Sequence, residues 1–342
     1  MDALSDLLRA VQLSGAVFLN GDFKAPWCLI TEADSGLRTA FLPRTDRVVS
    51  YHLITEGACW ARLVDGSGPG LRVETGELLV VPQGEAHVLG SDLRLQPIPS
   101  APLVSDMLEK SPGEVMHLSY GGRGDTTRMV CGFLGFDDTM GNPLLTSLPR
   151  LFKVGLGSGI ESAWLATALA FATSEAAEPR AGTATVLAKL SELLFVQAVR
   201  RCIDMLPENE RGWLAALRDR YVGRALAHMH ARPAYPWTVD ELAGNVGLSR
   251  SALAQRFTDL LGQPPMQYLA HWRLRTAAVA LRNGSRSVGE IACAVGYDSE
   301  AAFCRAFKRE FGLPPASWRR HRLGDPEAAG TGTEPAMAQR SP

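Results

Sequence analysis

Two spacings of apolar residues divide the chain. Through residue 150 the apolar positions come in short or alternating runs, at 58–64, 71–73, 78–81 and 129–136. Turn signals separate them: Gly21-Asp22, Asp34-Ser35-Gly36, Asp65-Gly66-Ser67-Gly68 and Gly121-Gly122. Many short strands between such turns predict a β-sandwich or barrel over 1–150. From 151 the period turns helical. Residues 160–172 and 183–206 form two arms, with Leu187, Leu190, Leu194 and Val199 among the apolar positions, separated by Glu178-Pro179-Arg180-Ala181-Gly182. This predicts a helical hairpin within 151–206, either covering the barrel or forming a dimer seam. Residues 207–212 read as a polar linker, and 324–342, rich in Gly, Ala, Pro and Glu, as a disordered tail.

Over 213–323 the helical pattern repeats itself. The stretch 237–269 returns as 286–319: Thr238-Val239-Asp240-Glu241-Leu242-Ala243 answers to Ser287-Val288-Gly289-Glu290-Ile291-Ala292, and Gly262-Gln263-Pro264-Pro265 to Gly312-Leu313-Pro314-Pro315. Thr238 with Glu241, and Ser287 with Glu290, have capping-box spacing at a helix start. Val246-Gly247 and Val295-Gly296 end that helix, because glycine takes the left-handed turn. Ser249 restarts the chain in the first copy, and Asp298 or Ser299 in the second. Leu253 and Phe257, or Phe303 and Phe307, then bury one stripe. Each copy reads as a helix-turn-helix, at 238–261 and 287–311. The fold class is therefore α+β and multidomain, with an N-terminal β-barrel and helical hairpin before an all-α double helix-turn-helix.

Charge follows the same division. Residues 213–323 hold sixteen Lys and Arg against eight acids, a surplus of eight, although the whole chain carries −1. A basic module of this kind suits phosphate contact and counterion release. On the second helix of each copy the base-facing candidates are Ser251, Ala254 and Gln255, then Glu300, Ala301, Cys304 and Arg305. Gln255 could pair with adenine and Arg305 with guanine. Arg256, Arg273, Arg286 and Lys308 are placed to hold phosphates. Arg250 and Ser299, at the two helix starts, complete the DNA-binding set.

The double unit resembles the signature of the AraC/XylS family of bacterial transcription regulators. Gly296-Tyr297 precedes the second recognition helix, and Ala306-Phe307-Lys308-Arg309 leads to Gly312-Leu313-Pro314-Pro315. The resemblance covers 213 to about 322. It implies two helix-turn-helices joined by a long helix at 266–281, entering successive major grooves of duplex DNA about 34 Å apart. It also implies an activator or repressor working with RNA polymerase.

In the first half, the run Gly76-Glu77-Leu78-Leu79-Val80-Val81-Pro82-Gln83-Gly84-Glu85-Ala86-His87 resembles the second cupin motif. Residues 51–57 resemble the end of the first. Some cupins bind metal, and a metal-dependent cupin enzyme fused to a DNA-binding module is the alternative function. If Gly57 closes the first motif, its ligand positions fall near Arg44, Asp46 and Ser50. No His-x-His is present, and Ser91 replaces the terminal asparagine. His52, Glu56 and His87 would form a ligand set only in another register, so no metal or cofactor, and no enzyme, is expected.

The start Met1-Asp2-Ala3-Leu4 and the run Met129-Val130-Cys131-Gly132 resemble a cupin-headed AraC subgroup, some members of which respond to oxidants through cysteine. His52, His87 and Cys131 are thus the sensing candidates, for a small molecule or an oxidant. His87 reads as pocket-lining or as a bonded core histidine, and His52 as a core residue. Cys131 has only Arg128 nearby in sequence, so an inert core thiol is the expectation, with redox sensing the alternative. The six cysteines include no C-x-x-C pair, and no apolar run is long enough to span a membrane. A cytoplasmic regulator follows, with a homodimer preferred.

Overall fold

A computed structural model of the chain describes residues 3–5, 8, 14–31, 47–110, 116–136, 143–155, 167–168, 170–171, 174–175, 180–284 and 286–322. It divides into two compact units, Leu7–Arg218, and Asp219–Pro342 with Met1–Asp6.

The first unit is built on period-two alternation. Its strands are β1 (Ser14–Lys24), β2 (Cys28–Thr31), β3 (Arg47–Glu56), β4 (Ala58–Leu63), β5 (Leu71–Glu74), β6 (Glu77–Val81), β7 (His87–Gly90), β8 (Ile98–Pro99), β9 (Met116–Gly121), β10 (Thr126–Phe136) and β11 (Phe152–Gly155). Among the described residues, its helices with defined bounds are α1 (Ala101–Lys110), α2 (Pro143–Ser147), α3 (Thr183–Asp204) and α4 (Trp213–Arg218). The strands form two sheets, ordered β11-β6-β3-β10-β1-β9 and β5-β4-β7-β2-β8. One apolar core joins them, with Ile54, Leu79, Met129 and Cys131 from the first sheet and Cys59, Ala61, Val73 and Leu89 from the second.

Odd- and even-numbered positions of β3 serve opposite faces. Ile54 belongs to the core between the sheets. Tyr51 instead meets α3, its Oη 2.6 Å from Ser191 Oγ. Gly132, opposite Tyr51 in the β3–β10 register, makes this possible, since a Cβ there would overlap the phenol ring.

Five sequence expectations need correction or restriction. Among the described residues the strands form two separate sheets, not one closed barrel. Phe152–Gly155 is a strand on β6 rather than part of a helical hairpin, because Phe152 and Val154 alternate inward. Gly21-Asp22 lies inside β1, where Gly21 leaves room for the Phe23 ring instead of turning the chain. The arm at 160–172 lies largely outside the described residues, as do Asp34-Ser35-Gly36 and the tail at 324–342. The division between units also falls after Arg218. Arg218 explains this: its guanidinium donates to the carbonyls of Leu206 and Pro207 and ties α4 back to the end of α3.

The second unit is helical: α5 (Val222–Ala231), α6 (Val239–Val246), α7 (Arg250–Leu261), α8 (Pro265–Asn283), α9 (Val288–Ala294), α10 (Glu300–Phe311) and α11 (Pro315–Arg322). Both capping boxes form, Thr238 with Glu241 and Ser287 with Glu290. Gly247 and Gly296 take φ of 81° and 86° and turn the chain out of α6 and α9. Ser249 and Ser299 then cap α7 and α10. Leu253, Phe257, Phe303 and Phe307 are fully buried, so the two stripes expected from the repeat form the core of each copy. Among the described residues no helix is long and apolar enough to cross a membrane.

Candidate functional site

The repeated unit sets the geometry of the first candidate surface. Helices α7 and α10 have twelve residues each, start at a serine cap and end at a left-handed glycine. Their buried stripes fix which side faces out. Ser251, Gln255, Glu300, Ala301, Arg305 and Lys308 are exposed, while Ala254 and Cys304 are half-buried. Most of the base-facing candidates therefore share the outer flank of a second helix. Arg286 is exposed ahead of α9, and its carbonyl accepts from Arg319.

Two residues expected at phosphates have other partners. Arg256 donates to Asp219, with Nε at 2.7 Å and a second nitrogen at 2.5 Å. Asp219 Oδ1 also accepts from the amides of Tyr221 and Val222. Burial alone would raise the Asp219 pKa; the Arg256 bond and the two amides outweigh it and hold the carboxyl below its ordinary range. Arg273 donates to the carbonyls of Pro233 and Tyr235, at 2.7 and 2.9 Å. Both arginines brace the domain. Arg250 keeps its exposed position and meets Asp240 at 3.3 Å.

The second candidate lies in the core of the first unit, and it joins the three sensing residues. His52 Nδ1 is 2.9 Å from Cys131 Sγ, and His52 Nε2 is 2.9 Å from His87 Nε2. His87 Nδ1 is 2.8 Å from the carbonyl of Glu85. The carbonyl can only accept, so His87 Nδ1 donates and its Nε2 must accept. His52 Nε2 then donates to His87, and His52 Nδ1 accepts from the Cys131 thiol. All four groups are satisfied with no charge. Burial, with the neighbouring His87, pushes the His52 pKa well below its ordinary value, and burial lowers that of His87. Burial raises that of Cys131. The nearby Cys59 thiol is pushed up to about 12 by burial as well. A neutral thiol and two neutral imidazoles are the resting state.

This arrangement does not fit a cupin metal. Cys131 and His87 occupy opposite nitrogens of one imidazole and cannot converge on one ion. Among the described residues no group of three His, Cys, Asp or Glu converges elsewhere. His87 contacts Glu85 and His52 rather than lining an open pocket. Among the described residues, one open cleft of about 660 Å³ has a wall that includes Cys59, Trp60, Arg72, Glu74, Asp125 and Thr126. Of the sensing candidates, none lines it. Sequence reasoning missed these residues because the cleft gathers segments far apart in the chain. The one available signal was Trp60, an apolar residue on the outward phase of β4, which is 39% exposed.

Residues 2–204 match a cupin family and residues 242–321 a helix-turn-helix domain. An AraC-like transcription regulator of Streptomyces antibioticus is 32% identical over 94% of this chain and 100% of its own. The HTH-type transcriptional regulator AlkR of Acinetobacter baylyi is 30% identical over 93% of this chain and 99% of its own. Among solved structures, the DNA-binding domain of AdpA in complex with a target DNA is 29% identical, with a TM-score of 0.30, covering 31% of this chain and 98% of that one.

Proposed function

Since the chain belongs to the AraC-like family of transcription regulators with a cupin N-terminal domain and a helix-turn-helix DNA-binding domain, we propose that α7 and α10 enter two successive major grooves. Ser251, Ala254 and Gln255 then face one set of bases, and Glu300, Ala301, Cys304 and Arg305 the other. Arg250, Arg286 and Lys308 hold phosphates beside them. The observation that carries this reading is the pair of identically capped helices with outward polar flanks. Selection of bound duplexes from a random pool tests it. Two enriched half-sites centred about 10 bp apart are expected; a single enriched element would contradict the two-groove reading.

The first unit acts as the controlling half. A small effector enters the cleft beside Trp60, whose volume suits a small-molecule site. The exposed Trp60 indole offers a flat apolar face, and Arg72, Glu74 and Asp125 supply polar contacts. The Cys131 thiol, buried and hydrogen-bonded to His52, stays a core group in this reading. Effector binding biases a pre-existing equilibrium of the DNA-binding unit. The protein works in the cytoplasm as a homodimer paired through α3, whose outer flank exposes Val186, and it engages RNA polymerase at the promoter. It performs no chemistry on a substrate. Sedimentation of the full chain tests the dimer, and a monomer at micromolar concentration would contradict it.

A further inference from the structure

Helices α7 and α10 can be compared position by position. Both run twelve residues between a serine cap and a left-handed glycine, and their buried pairs coincide, Leu253 with Phe303 and Phe257 with Phe307. This register makes Arg256 the counterpart of Ala306, which is buried. Arg256 starts from that flank and bonds Asp219, with half of its side chain exposed.

The outward flanks differ in charge. Gln255, Thr258 and Asp259 of α7 correspond to Arg305, Lys308 and Arg309 of α10. In α7 these groups bond within their own helix. Gln255 Nε2 donates to Asp259 Oδ1 at 2.7 Å, and Thr258 Oγ1 donates to the carbonyl of Ala254 at 2.8 Å. In α10 the three matching residues are cations, all exposed. Among the described residues no carboxylate lies within ion-pair distance of any of them. The remaining cation on the outer flank of α7 is Arg250, which sits beside Asp240; α10 has Glu300 at that place.

We propose that the two helix-turn-helices divide the work on DNA: α10 is the electrostatic anchor, holding phosphates through Lys308 and Arg309 beside the base-facing cation Arg305, and α7 is a nearly uncharged reader that selects sequence through Ser251 and Gln255. The proposal rests on the reading that both helices meet DNA, and it assigns Arg309 to the interface for the first time. Arg305 combines a base contact with the anchoring charge.

Counterion release makes the division measurable, because removing one phosphate-binding cation reduces the slope of log K against log salt by about 0.9. The test titrates salt with the full-length chain on a selected duplex and on a random-sequence duplex, comparing wild type, the triple variant R305Q/K308Q/R309Q, R250Q and Q255A. The triple variant is expected to lower the slope by roughly 2 to 3 on both duplexes. R250Q should lower it by less than about 0.9. Q255A should keep the wild-type slope and lose preference at one base position. A complementary variant, Q255R/T258K/D259R, moves the charge pattern onto α7. It should steepen the slope and tighten binding to random duplex, which also covers the case where the triple variant folds poorly by circular dichroism. Equal slope reductions for R250Q and the triple variant, or an unchanged slope in the transplant, would overturn the division. A wild-type chain that binds no duplex at any salt would instead refute DNA contact by both helices.

Discussion

His52 and His87 meet Nε2 to Nε2 at 2.9 Å, one from each sheet of the first unit. The contact closes a four-member chain from the Cys131 thiol to the Glu85 carbonyl. Removing one member leaves a buried polar neighbour unsatisfied, which costs about 1–3 kcal/mol. Cys131→Ala should therefore destabilise the first unit by that order in urea unfolding. Cys131→Ser, which keeps a donor toward His52 Nδ1, should cost less. Equal stability of wild type and Cys131→Ala would show that the bond has no energetic weight.

The same chain sets a pH dependence. His52 and His87 have folded pKa values held below the ordinary 6.5 by burial. In the second unit His230, stacked on Trp272 and bonded to Tyr268 at 2.8 Å, is lowered to about 3 by burial. Between the folded and unfolded pKa values the unfolded chain binds protons that the folded chain does not. The stabilisation is complete above about pH 6.5 and falls as pH drops toward the folded values, by up to roughly 1.4 kcal/mol per pH unit per histidine. Unfolding midpoints at about pH 7.5 and 5 measure it. A midpoint that rises on acidification would have the wrong sign.

Thiol reactivity should follow burial. Cys28, Cys59, Cys131 and Cys202 are buried, Cys304 is partly covered and Cys293 is exposed. Burial also raises the pKa of Cys59 and Cys131, leaving less thiolate. Alkylation of the native chain, read by peptide mass mapping, should mark Cys293 first and Cys131 among the last. Early labelling of Cys131 would mean that the core opens readily, which would favour oxidant sensing there.

Asp219 gathers Arg256 and the amides of Tyr221 and Val222 on one carboxylate. Asp219→Ala should destabilise the second unit by about 1–3 kcal/mol. Binding to specific and random duplex should then weaken together, because the loss is structural. A selective loss on the specific site would point to a direct role for Arg256 at bases.

Arg305→Ala should cost about 1–3 kcal/mol on the selected duplex and relax one base position. Competition binding with duplexes substituted at that position measures both effects. An equal loss on every duplex would reduce Arg305 to a phosphate contact.

The second half was legible in the sequence because its signals are local. Capping boxes, turn glycines and four-residue stripes lie within a few positions of each other, and both copies repeat them. The partners of Arg256 and Arg273 were not legible, since Asp219 and the carbonyls of Pro233 and Tyr235 lie 37 to 40 residues away. In the first half, His52, His87 and Cys131 could be named as inward residues one by one. Their union could not, because it depends on the register of β3 with β10 and on packing between sheets. The Phe152–Gly155 strand was hidden for the same reason: four alternating residues next to a helical stretch give little period to read.

The most direct test of the account is the ratio of affinities of the full-length chain for its selected duplex and for a scrambled duplex at about 0.15 M salt. Specific reading by two recognition helices predicts a ratio of roughly 10³ or more. A ratio near one would contradict it, leaving a basic surface that holds DNA without reading it.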